Sequence, residues 1–352
     1  MNTRIEKLQK LLGEHEALLV SAVHSVRYLT QFPSGDSYLF VTRESAWFLT
    51  DFRYIELAKQ TVKDTECRMI TGLLPAVKQL VEDCGVERLH IETTAVDVRL
   101  LTRLQQVTDV CVDGTADGWL MQMRTVKEPF EVEKILQAQA LTEEGFTHIL
   151  NYIREGKTER DVALELEFYI RKRGAECVAF DFIVVSGKHS SLPHGIPTDK
   201  PIRRGEFITM DFGAVVDGYH SDMTRTVALG RVDEQQHQVY DTVLAAQTAA
   251  LEVLRAGVRC CDGDAAARQV IEAAGYGAYF GHATGHGVGM QIHEEPRLSV
   301  SCEAPLQTGN VVTVEPGIYL EGQFGVRIED MVCIRQEGCQ NLTKAPKELI
   351  CL

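Results

Sequence analysis

Two aspartates, Asp211 and Asp222, lie on either side of the dipeptide Asp217-Gly218, which is a strong signal for a two-residue hairpin turn. A hairpin centred on that turn places Asp211 opposite Thr224. Because strand side chains alternate between the two faces of a sheet, both aspartates then lie on one face as diagonal neighbours. Two carboxylates that close repel each other unless a cation or a proton lies between them. The pair predicts a cation site, and the alternative is a pair of solvated surface acids.

A glycine-rich segment, GHATGHGVGMQIHEEP, carries three histidines: His282, His286 and His293. Glycine allows the backbone to approach a ligand closely and removes bulk around the imidazole rings. The chain has 11 histidines in all, and three of them in so short a stretch are not typical of a hydrophobic core. This segment predicts metal-ligating or catalytic histidines.

Two glutamates lie in otherwise apolar strand patterns: Glu315 in VTVEPG, at a predicted strand end halted by Pro316, and Glu329 in VRIED. A glutamate inside an apolar strand is costly unless it is paired or binds a metal. Arg327 lies on the same predicted strand face as Glu329 and is a candidate for the same site. The alternative interpretation of Arg327 is a structural salt bridge to Glu329 or to Asp330, which is compatible with a role in the site.

Five side chains thus form a candidate metal-ligand set: Asp211, Asp222, His286, Glu315 and Glu329. Four carboxylates and an imidazole suit Mn²⁺, Co²⁺, Fe²⁺ or Zn²⁺ better than an ion that prefers thiolates. One divalent ion would leave two negative charges uncompensated, whereas two ions neutralise all four. Two ions about 3.5–4 Å apart that share a hydroxide form a common hydrolytic arrangement. The set predicts a dinuclear hydrolase, and no G-x-S-x-G nucleophile motif competes with it.

The charge composition of the chain indicates which kinds of binding partner are expected. The 352 residues include 36 Lys and Arg against 50 Asp and Glu, for a formal net charge of −14. An acidic chain without a basic run is not expected to bind nucleic acid or an anionic membrane. The first twenty residues carry charges throughout, unlike a signal peptide, and the ten cysteines are scattered without a Cys-x-x-Cys pair. We therefore expect a cytoplasmic protein with reduced cysteines and no membrane span.

The length predicts two domains, 1–122 and 123–352. In the first, apolar runs typical of strands lie at 17–23, 38–41, 45–50 and 88–92, and amphipathic helix patterns lie at 55–62, 73–85 and 96–107. This alternation predicts a mixed α/β domain. The alternation of strand and helix patterns ends near residue 122, and Pro129 begins a helical pattern that continues to about Ile153.

The second domain contains a weak internal repeat, in which Gly156 and Gly174 recur as Gly257 and Gly275, 101 positions later. Because glycine commonly ends a helix, the matched glycines predict two related pairs of helices. Thr158 opens the second helix of the first pair with a predicted capping box. Segments rich in strand formers lie between and after the helices, at 178–187, 205–230, 311–320 and 324–334. They predict an antiparallel sheet flanked by the two helical halves.

The ordered ligand pattern, with LPHG at 192–195, GHATGHGVG, TVEPGIY and GVRIED, resembles the metallopeptidases of the pita-bread fold. Within that family it resembles the Xaa-Pro peptidases, namely prolidase (Xaa-Pro dipeptidase) and aminopeptidase P. The resemblance covers essentially the whole chain, since 1–122 is similar to the creatinase N-terminal domain and contains its TDFRY segment. It implies an α/β N-terminal domain plus an α+β pita-bread (creatinase/aminopeptidase-like) catalytic domain with pseudo-two-fold symmetry.

The resemblance also implies roles for the five candidate ligands. Asp211 is expected to chelate one metal ion, and Asp222 and Glu329 are expected to bridge both ions. His286 and Glu315 complete the coordination of the second ion. Glu315 additionally matches the position that takes a proton from the bridging water.

Four further residues match positions around the substrate. His194 in LPHG and His293 match the histidines beside the scissile bond, which steady the tetrahedral intermediate and assist protonation of the leaving nitrogen. His282 and Arg327 match substrate-binding groups of the proline-specific branch. For His194, the alternative is an ordinary loop histidine.

We therefore expect a homodimeric metallopeptidase that hydrolyses the Xaa-Pro bond of dipeptides by means of a hydroxide bridging two divalent ions, with Mn²⁺ preferred. The bond before proline is a tertiary amide, so the site needs no acceptor for an N–H. Aminopeptidase P activity on longer peptides is the close alternative. Methionine aminopeptidases lack this N-terminal domain and the matching Arg327, and creatinase-like amidinohydrolases lack the metal ligands. The alternative outside enzymes is a non-catalytic pita-bread binding module, a type that characteristically loses these ligands.

Overall fold

The computed structural model describes residues 3–33 and 35–352, and the chain divides into two units, Met1–Met123 and Arg124–Leu352. The helices of the N-terminal part are α1 Thr3–Gln9, α2 Val23–Thr30, α3 Ile55–Thr61, α4 Leu73–Cys84, α5 Val98–Thr108 and α6 Ala116–Thr125. Its strands are β1 Glu16–Val20, β2 Ser37–Thr42, β3 Ala46–Thr50, β4 Glu66–Met69, β5 Arg88–Ile91 and β6 Cys111–Asp113.

These six strands form one sheet in the order β4-β3-β2-β1-β5-β6. The central pairs β1–β2 and β2–β3 are antiparallel, and the outer pairs are parallel. The predicted mixed α/β domain is thereby confirmed. The predicted strand 17–23 is wrong at its end, because the backbone N–H groups of Ser21 and Ala22 donate to the Glu92 carboxylate and leave the strand ladder. The helix α2 follows directly.

Four long helices belong to the second unit: α7 Pro129–Leu150, α8 Glu159–Lys172, α9 Glu234–Val253 and α10 Cys260–Ala273. The bounds of α8 and α10 differ by the 101 positions of the sequence repeat. Gly174 and Gly275, just beyond their ends, have φ of 111° and 85°, which glycine adopts without strain. The capping box at Thr158 is present. The helix α7 begins at Pro129 as predicted and ends at Leu150, three residues earlier than expected.

The strands of this unit are short. They are β7 Cys177–Val178, β8 Ile183–Ser186, β9 Glu206–Phe212, β10 Ala214–Val216, β11 Tyr219–His220, β12 Met223–Leu229, β13 Gly285–Gly287, β14 Glu294–Leu298, β15 Val311–Val314, β16 Gly317–Leu320, β17 Phe324–Arg327, β18 Asp330–Ile334 and β19 Cys339–Asn341. They pair in the orders β12-β9-β8, β11-β10-β7, β14-β13-β15-β18-β19 and β16-β17. Every pair is antiparallel, as predicted.

The predicted hairpin has the expected register: Val216 pairs with Tyr219, and Asp211 pairs with Thr224. The single predicted sheet is instead divided, because the chain leaves its ladder at several points. The backbone N–H of Ala179 donates to the carbonyl of Gly213. At this point the predicted strand 178–187 leaves the sheet of β7, and it continues as β8 in another sheet. A side chain at Gly213 would lie 1.9 Å from the Ser221 carbonyl oxygen, so only glycine fits this crossing.

Each helix pair covers its own part of the core. Phe146 of α7 and Leu166 of α8 pack in one cluster with strands β8, β9 and β12. Val243 of α9 and Ala267 of α10 pack in a second cluster with β15 to β18. The two clusters place one helical half on each group of strands, in agreement with the predicted pita-bread fold. Within the described parts of the chain, we find no helix with the length and apolarity needed to cross a bilayer.

Candidate metal centre and active site

One cavity of about 360 Å³ in the second unit brings the predicted residues together. All nine line it: Asp211, Asp222, His286, Glu315, Glu329, His194, His293, His282 and Arg327. Its apolar wall is formed by Phe180, Ile183 and Ile292, and Arg297 lies at its exposed side. Acidic, imidazole and apolar groups therefore share one concave surface.

Three of the predicted ligands lie where a strand is interrupted. Asp222 lies just before β12, Glu315 separates β15 from β16, and Glu329 separates β17 from β18. The N–H of Glu315 donates to the Thr284 carbonyl, and the N–H of Glu329 donates to that of Thr224. The interruption turns each carboxylate out of the regular ladder and into the cavity. Proline after Glu315 adds to the interruption, because it has no N–H for the ladder.

His286, on β13, shows that the cluster is arranged for a cation. Its Nδ1 lies 3.0 Å from the Gly287 carbonyl and must donate there, so in the neutral ring Nε2 carries a lone pair. That lone pair faces Glu315 Oε1 at 3.3 Å and Asp222 Oδ2 at 3.6 Å. Burial lowers the pKa of His286, which favours the neutral ring. A lone pair directed at two carboxylates is stabilised by a metal ion between them.

The carboxylates lead to the same conclusion. Burial, and next the charge of Glu329, raise the pKa of Asp222 well above its ordinary value. Burial and then the charge of Glu315 do the same for the pKa of Glu329, and burial also raises the pKa of Glu315. Asp211 Oδ1 and Asp222 Oδ1 are buried and have no hydrogen-bond partner among the described residues. The donor set therefore fits bound cations.

The donor atoms of Asp222, His286 and Glu329 all lie within 4.8 Å of one another, close enough for one ion. Glu315 adjoins this group through its contact with His286, and its Oε1 accepts a hydrogen bond from Thr313 Oγ1 at 3.1 Å. Asp211 lies on β9. All five predicted ligands line the same cavity, with Asp211 joined to the others through Arg327 and Thr224, which donates to Glu329.

Arg327 is buried to 3% exposure and connects Asp211 to Tyr319 and to the loop at Pro193. Its Nη2 lies 2.6 Å from Asp211 Oδ2, and its Nη1 donates to the hydroxyl of Tyr319 and to the carbonyl of Pro193. The alternative salt bridge to Asp330 does not form. Asp330 is paired with Arg225 at 2.8 Å instead.

Tyr319 is the residue at this site that sequence reasoning missed most clearly. Nδ1 of His282 lies 2.8 Å from the Ala283 carbonyl and donates there, so Nε2 of the neutral ring accepts from the Tyr319 hydroxyl at 2.9 Å. Tyr319 accepts in turn from Arg327. A hydrogen-bonded chain therefore runs from Arg327 to His282. The TVEPGIY motif contains Tyr319, but nothing in its spacing distinguishes this tyrosine from a core residue.

His194 and His293 lie at the exposed part of the cavity, as expected for groups that meet a substrate. The ring of His293 lies 4.4 Å from that of His286, centroid to centroid. Burial, and next the neighbouring His286, lower the pKa of His293 to about 4. The apolar residues Phe180, Ile183 and Ile292 were also missed, because in sequence they resemble any other buried apolar residue.

Two related helix pairs around a buried carboxylate–imidazole cluster define the class of pita-bread metallohydrolases. Comparison with known proteins gives the same class. Residues 133–336 match the metallopeptidase family M24, and residues 4–126 match the creatinase/prolidase N-terminal domain. The chain belongs to metallopeptidase family M24, which uses divalent metal ions.

Similar proteins extend over the whole chain. An Xaa-Pro dipeptidase of Pyrococcus furiosus is 36% identical, over 99% of this chain and 100% of its own length. The structure of an Xaa-Pro dipeptidase from Bacillus anthracis is similar with a TM-score of 0.96 and 38% identity, and 99% of each chain is covered. The structure of an X-Pro aminopeptidase from Thermotoga maritima has a TM-score of 0.92 and 39% identity, over 98% of this chain and 99% of its own.

Proposed function

We propose that this metallopeptidase hydrolyses the Xaa-Pro bond and that Xaa-Pro dipeptides are its principal substrates. The observation that carries the proposal is the cavity in which a buried acidic cluster adjoins the chain of hydrogen bonds Arg327–Tyr319–His282. The full-length similarity to proteins named Xaa-Pro dipeptidase supports it. The division into a creatinase-like domain, 1–122, and a catalytic domain, 123–352, is part of the same proposal.

The proposed cofactor is a pair of divalent ions, with Mn²⁺ preferred. Four carboxylates and a neutral imidazole would hold them: Asp211, Asp222, His286, Glu315 and Glu329. Arg327 pairs with Asp211 and offsets one of the four negative charges, so two divalent ions and one hydroxide would leave the group neutral. When bound, such ions lower the pKa of a water molecule and polarise a peptide carbonyl.

Glu315 is the proposed proton acceptor. Thr313 Oγ1 donates to its Oε1 and fixes the orientation of the carboxylate. The same Thr313 hydroxyl accepts from the backbone N–H of His286, so the Thr313 side chain orients both Glu315 and His286. In the metal-free protein burial raises the pKa of Glu315, so the charged carboxylate favours a nearby cation or proton.

The four remaining residues act on the substrate. His194 and His293, at the exposed part of the cavity, are proposed to steady the tetrahedral intermediate and to deliver a proton to the leaving nitrogen. His282 and Arg327, which also line the cavity, are proposed to bind the substrate beside Tyr319. Since Tyr319 satisfies His282 Nε2 and Arg327 Nη1 internally, that side presents no additional acceptor for a peptide N–H, which suits the tertiary amide before proline.

Release of the first residue from longer Xaa-Pro peptides is the second candidate activity. A second cavity, of about 820 Å³, shares Pro193, His194 and His282 with the first and is lined by Leu192 and Ile196. Space of this kind beside the site would accept residues that follow the proline. The similar X-Pro aminopeptidase structure supports this candidate as well.

One assay separates the candidates. The protein is treated with chelator, given Mn²⁺, and incubated with Ala-Pro, Ala-Pro-Ala and, as a control, Ala-Ala. Cleavage of Ala-Pro alone supports the dipeptidase, and cleavage of the tripeptide at its first bond supports the aminopeptidase. Hydrolysis of Ala-Ala at the rate of Ala-Pro, or of neither proline peptide with metal bound, contradicts the proline specificity.

A cytoplasmic homodimer remains our proposal for the state of the protein. All ten cysteines are free, as is usual in a reducing compartment. Light scattering coupled to size-exclusion chromatography tests the dimer. A mass equal to one 39.2 kDa chain at micromolar concentration would contradict it.

A further inference from the structure

We propose that Glu159, at the start of α8, is a positioning residue that holds both ends of the loop carrying His194. The proposal rests on the proposed function, because the loop matters for hydrolysis only if His194 acts on the substrate. Glu159 has no exposed surface, and it is not among the residues that line the cavity. It therefore acts through the loop rather than by contact with the substrate.

Each carboxylate oxygen of Glu159 binds one end of the loop. Oε1 accepts from the backbone N–H of Ser186 at 2.8 Å and from its hydroxyl at 3.0 Å, where β8 ends. Oε2 accepts from the backbone N–H of Thr198 at 3.2 Å and from its hydroxyl at 2.6 Å, where the loop returns. His189, inside the loop, lies 3.3 Å from Oε2. One buried side chain thus closes residues 186–198 into a ring.

The middle of the loop has much weaker support. Leu192 and Ile196 are 54% and 81% exposed, and His194 between them is exposed as well. The first part of the loop, Gly187–Ser191, forms a short 3-10 helix, and the buried Ser190 hydroxyl accepts from the backbone N–H of Gly325 at 2.9 Å. Beyond it, the Pro193 carbonyl accepts from Arg327 at 3.2 Å. An exposed segment of this kind keeps one conformation when its ends are fixed, since fixing them removes most of its freedom. The segment between Ser190 and Thr198, which carries His194, therefore depends on the closure at Glu159 for its return to the core.

The backbone of α8 reinforces the closure but does not replace it. The N–H of Arg160 donates to the Thr198 carbonyl, and the N–H of Glu159 donates to that of Lys200. Lys200 Nζ also donates to the Ser186 hydroxyl, and that hydroxyl donates to Glu159. A positive charge therefore lies close to the Glu159 carboxylate. Only the carboxylate, however, accepts from the N–H groups at both ends at once. Glutamine can accept with one oxygen alone, and its amide N–H₂ would face donors at the other end.

The experiment compares Glu159→Gln with Asp161→Asn. Asp161 lies in the same first turn of α8 and accepts only from Thr158 at the helix start, so its substitution tests helix stability without touching the loop. Thr198→Val is a milder second variant that removes one hydroxyl donor and keeps the backbone bond. For each we would measure metal content, thermal midpoint, deuterium exchange of 187–198, and kcat and KM for Ala-Pro with Mn²⁺.

We expect Glu159→Gln to keep its metal and to exchange faster in 187–198. Its kcat should fall about 10- to 100-fold, because small displacements of a catalytic group have effects of that size. Thr198→Val should give a smaller change in the same direction, and Asp161→Asn should leave exchange and kcat unchanged. In a His194→Ala background, Glu159→Gln should cause little further loss, since the two residues act as one unit.

Two results would overturn the proposal. Unchanged exchange in 187–198 for Glu159→Gln would show that the carboxylate does not hold the loop. A full additional loss of kcat in the His194→Ala background would show that Glu159 acts by another route. Failure of the wild-type protein to cleave Ala-Pro would contradict the proposed function instead, and the exchange measurement would still test the clamp.

Discussion

At the scale of single residues, the site is dominated by negative charge that the fold buries without compensating it fully. Asp222 is 4% exposed and Glu329 is 1% exposed, and burial raises the pKa of both. In the metal-free protein, each such carboxylate opposes folding, because a buried charge near like charges is costly. The same charges stabilise the protein once cations are bound. The buried carboxylates therefore lower the stability of the metal-free protein and raise its affinity for cations.

Asp222→Asn separates these two effects. The variant should lose metal binding and at least about 100-fold in kcat, because one central donor of the cluster becomes a poor ligand. In the presence of chelator, it should be at least as stable as the wild-type protein, since a buried like charge has been removed. Metal content and thermal midpoints with and without Mn²⁺ measure both. An active variant with wild-type metal content would contradict the assignment of Asp222 as a ligand.

His194→Ala tests the opposite case, a residue that acts on the substrate and not on the metal. We expect kcat to fall about 100-fold, the usual size of a lost acid–base or hydrogen-bonding group, with metal content unchanged. His237→Ala is the matched control, because His237 is exposed on α9 and does not line the cavity. Metal loss in His194→Ala would show instead that His194 is a ligand or a structural residue.

At the scale of elements, the sequence correctly predicted the features that depend on neighbouring residues, such as turns and helix ends. The Asp217-Gly218 turn fixed the hairpin register, and the repeated glycines located α8 and α10 correctly. Pro316 correctly predicted the end of the strand before Glu315, whereas the pattern did not reveal that Glu329 also lies at a break between strands. That break depends on an acceptor distant in sequence, Thr224, whose position only the tertiary fold determines.

The contacts of Arg327 illustrate the same limit. The sequence placed it beside Glu329 and Asp330, its neighbours along the strand. The structure pairs it with Asp211, 116 positions away, because Thr224 lies between Arg327 and Glu329 and hydrogen-bonds to both. Tyr319 was missed for the same reason, since its hydroxyl acquires its role only from partners that the fold supplies.

Asp264 on α10 shows how a helix outside the cavity supports it. Its carboxylate is 1% exposed and accepts from the backbone N–H and hydroxyl of Thr284 and from Arg268. Arg268 donates in turn to the carbonyl of His282, and Thr284 accepts from the N–H of Glu315. One carboxylate thus supports both the loop of His282 and the backbone of Glu315.

Asp264→Asn should lower the free energy of unfolding by about 2 kcal/mol, because buried donors lose an acceptor and Arg268 loses its ion pair. Asp262→Asn is the matched control. Asp262 also pairs with an arginine, Arg259, but its side chain is 48% exposed. We expect that control to change the free energy by less than about 0.5 kcal/mol. Denaturant unfolding of the metal-loaded protein provides both values, and equal effects would contradict the supporting role of Asp264.

At the scale of the whole molecule, all five proposed metal ligands belong to the unit Arg124–Leu352. An ion that binds only the folded form of that unit stabilises it in proportion to the logarithm of its concentration, by about 2.7 kcal/mol at 100 times Kd. Addition of Mn²⁺ to chelated protein should therefore slow deuterium exchange in 205–230 and 311–334 by up to about 100-fold, where exchange requires unfolding of the unit.

The unit Met1–Met123 provides an internal control in the same experiment. Its central strands, β1 to β3, have buried amides and contain no residue of the predicted ligand set, so their exchange should not respond to Mn²⁺. Equal slowing in both units would show that they unfold together. No slowing in 205–230 would contradict the metal centre itself, because a cation held by Asp211 and Asp222 must stabilise the hairpin that carries them.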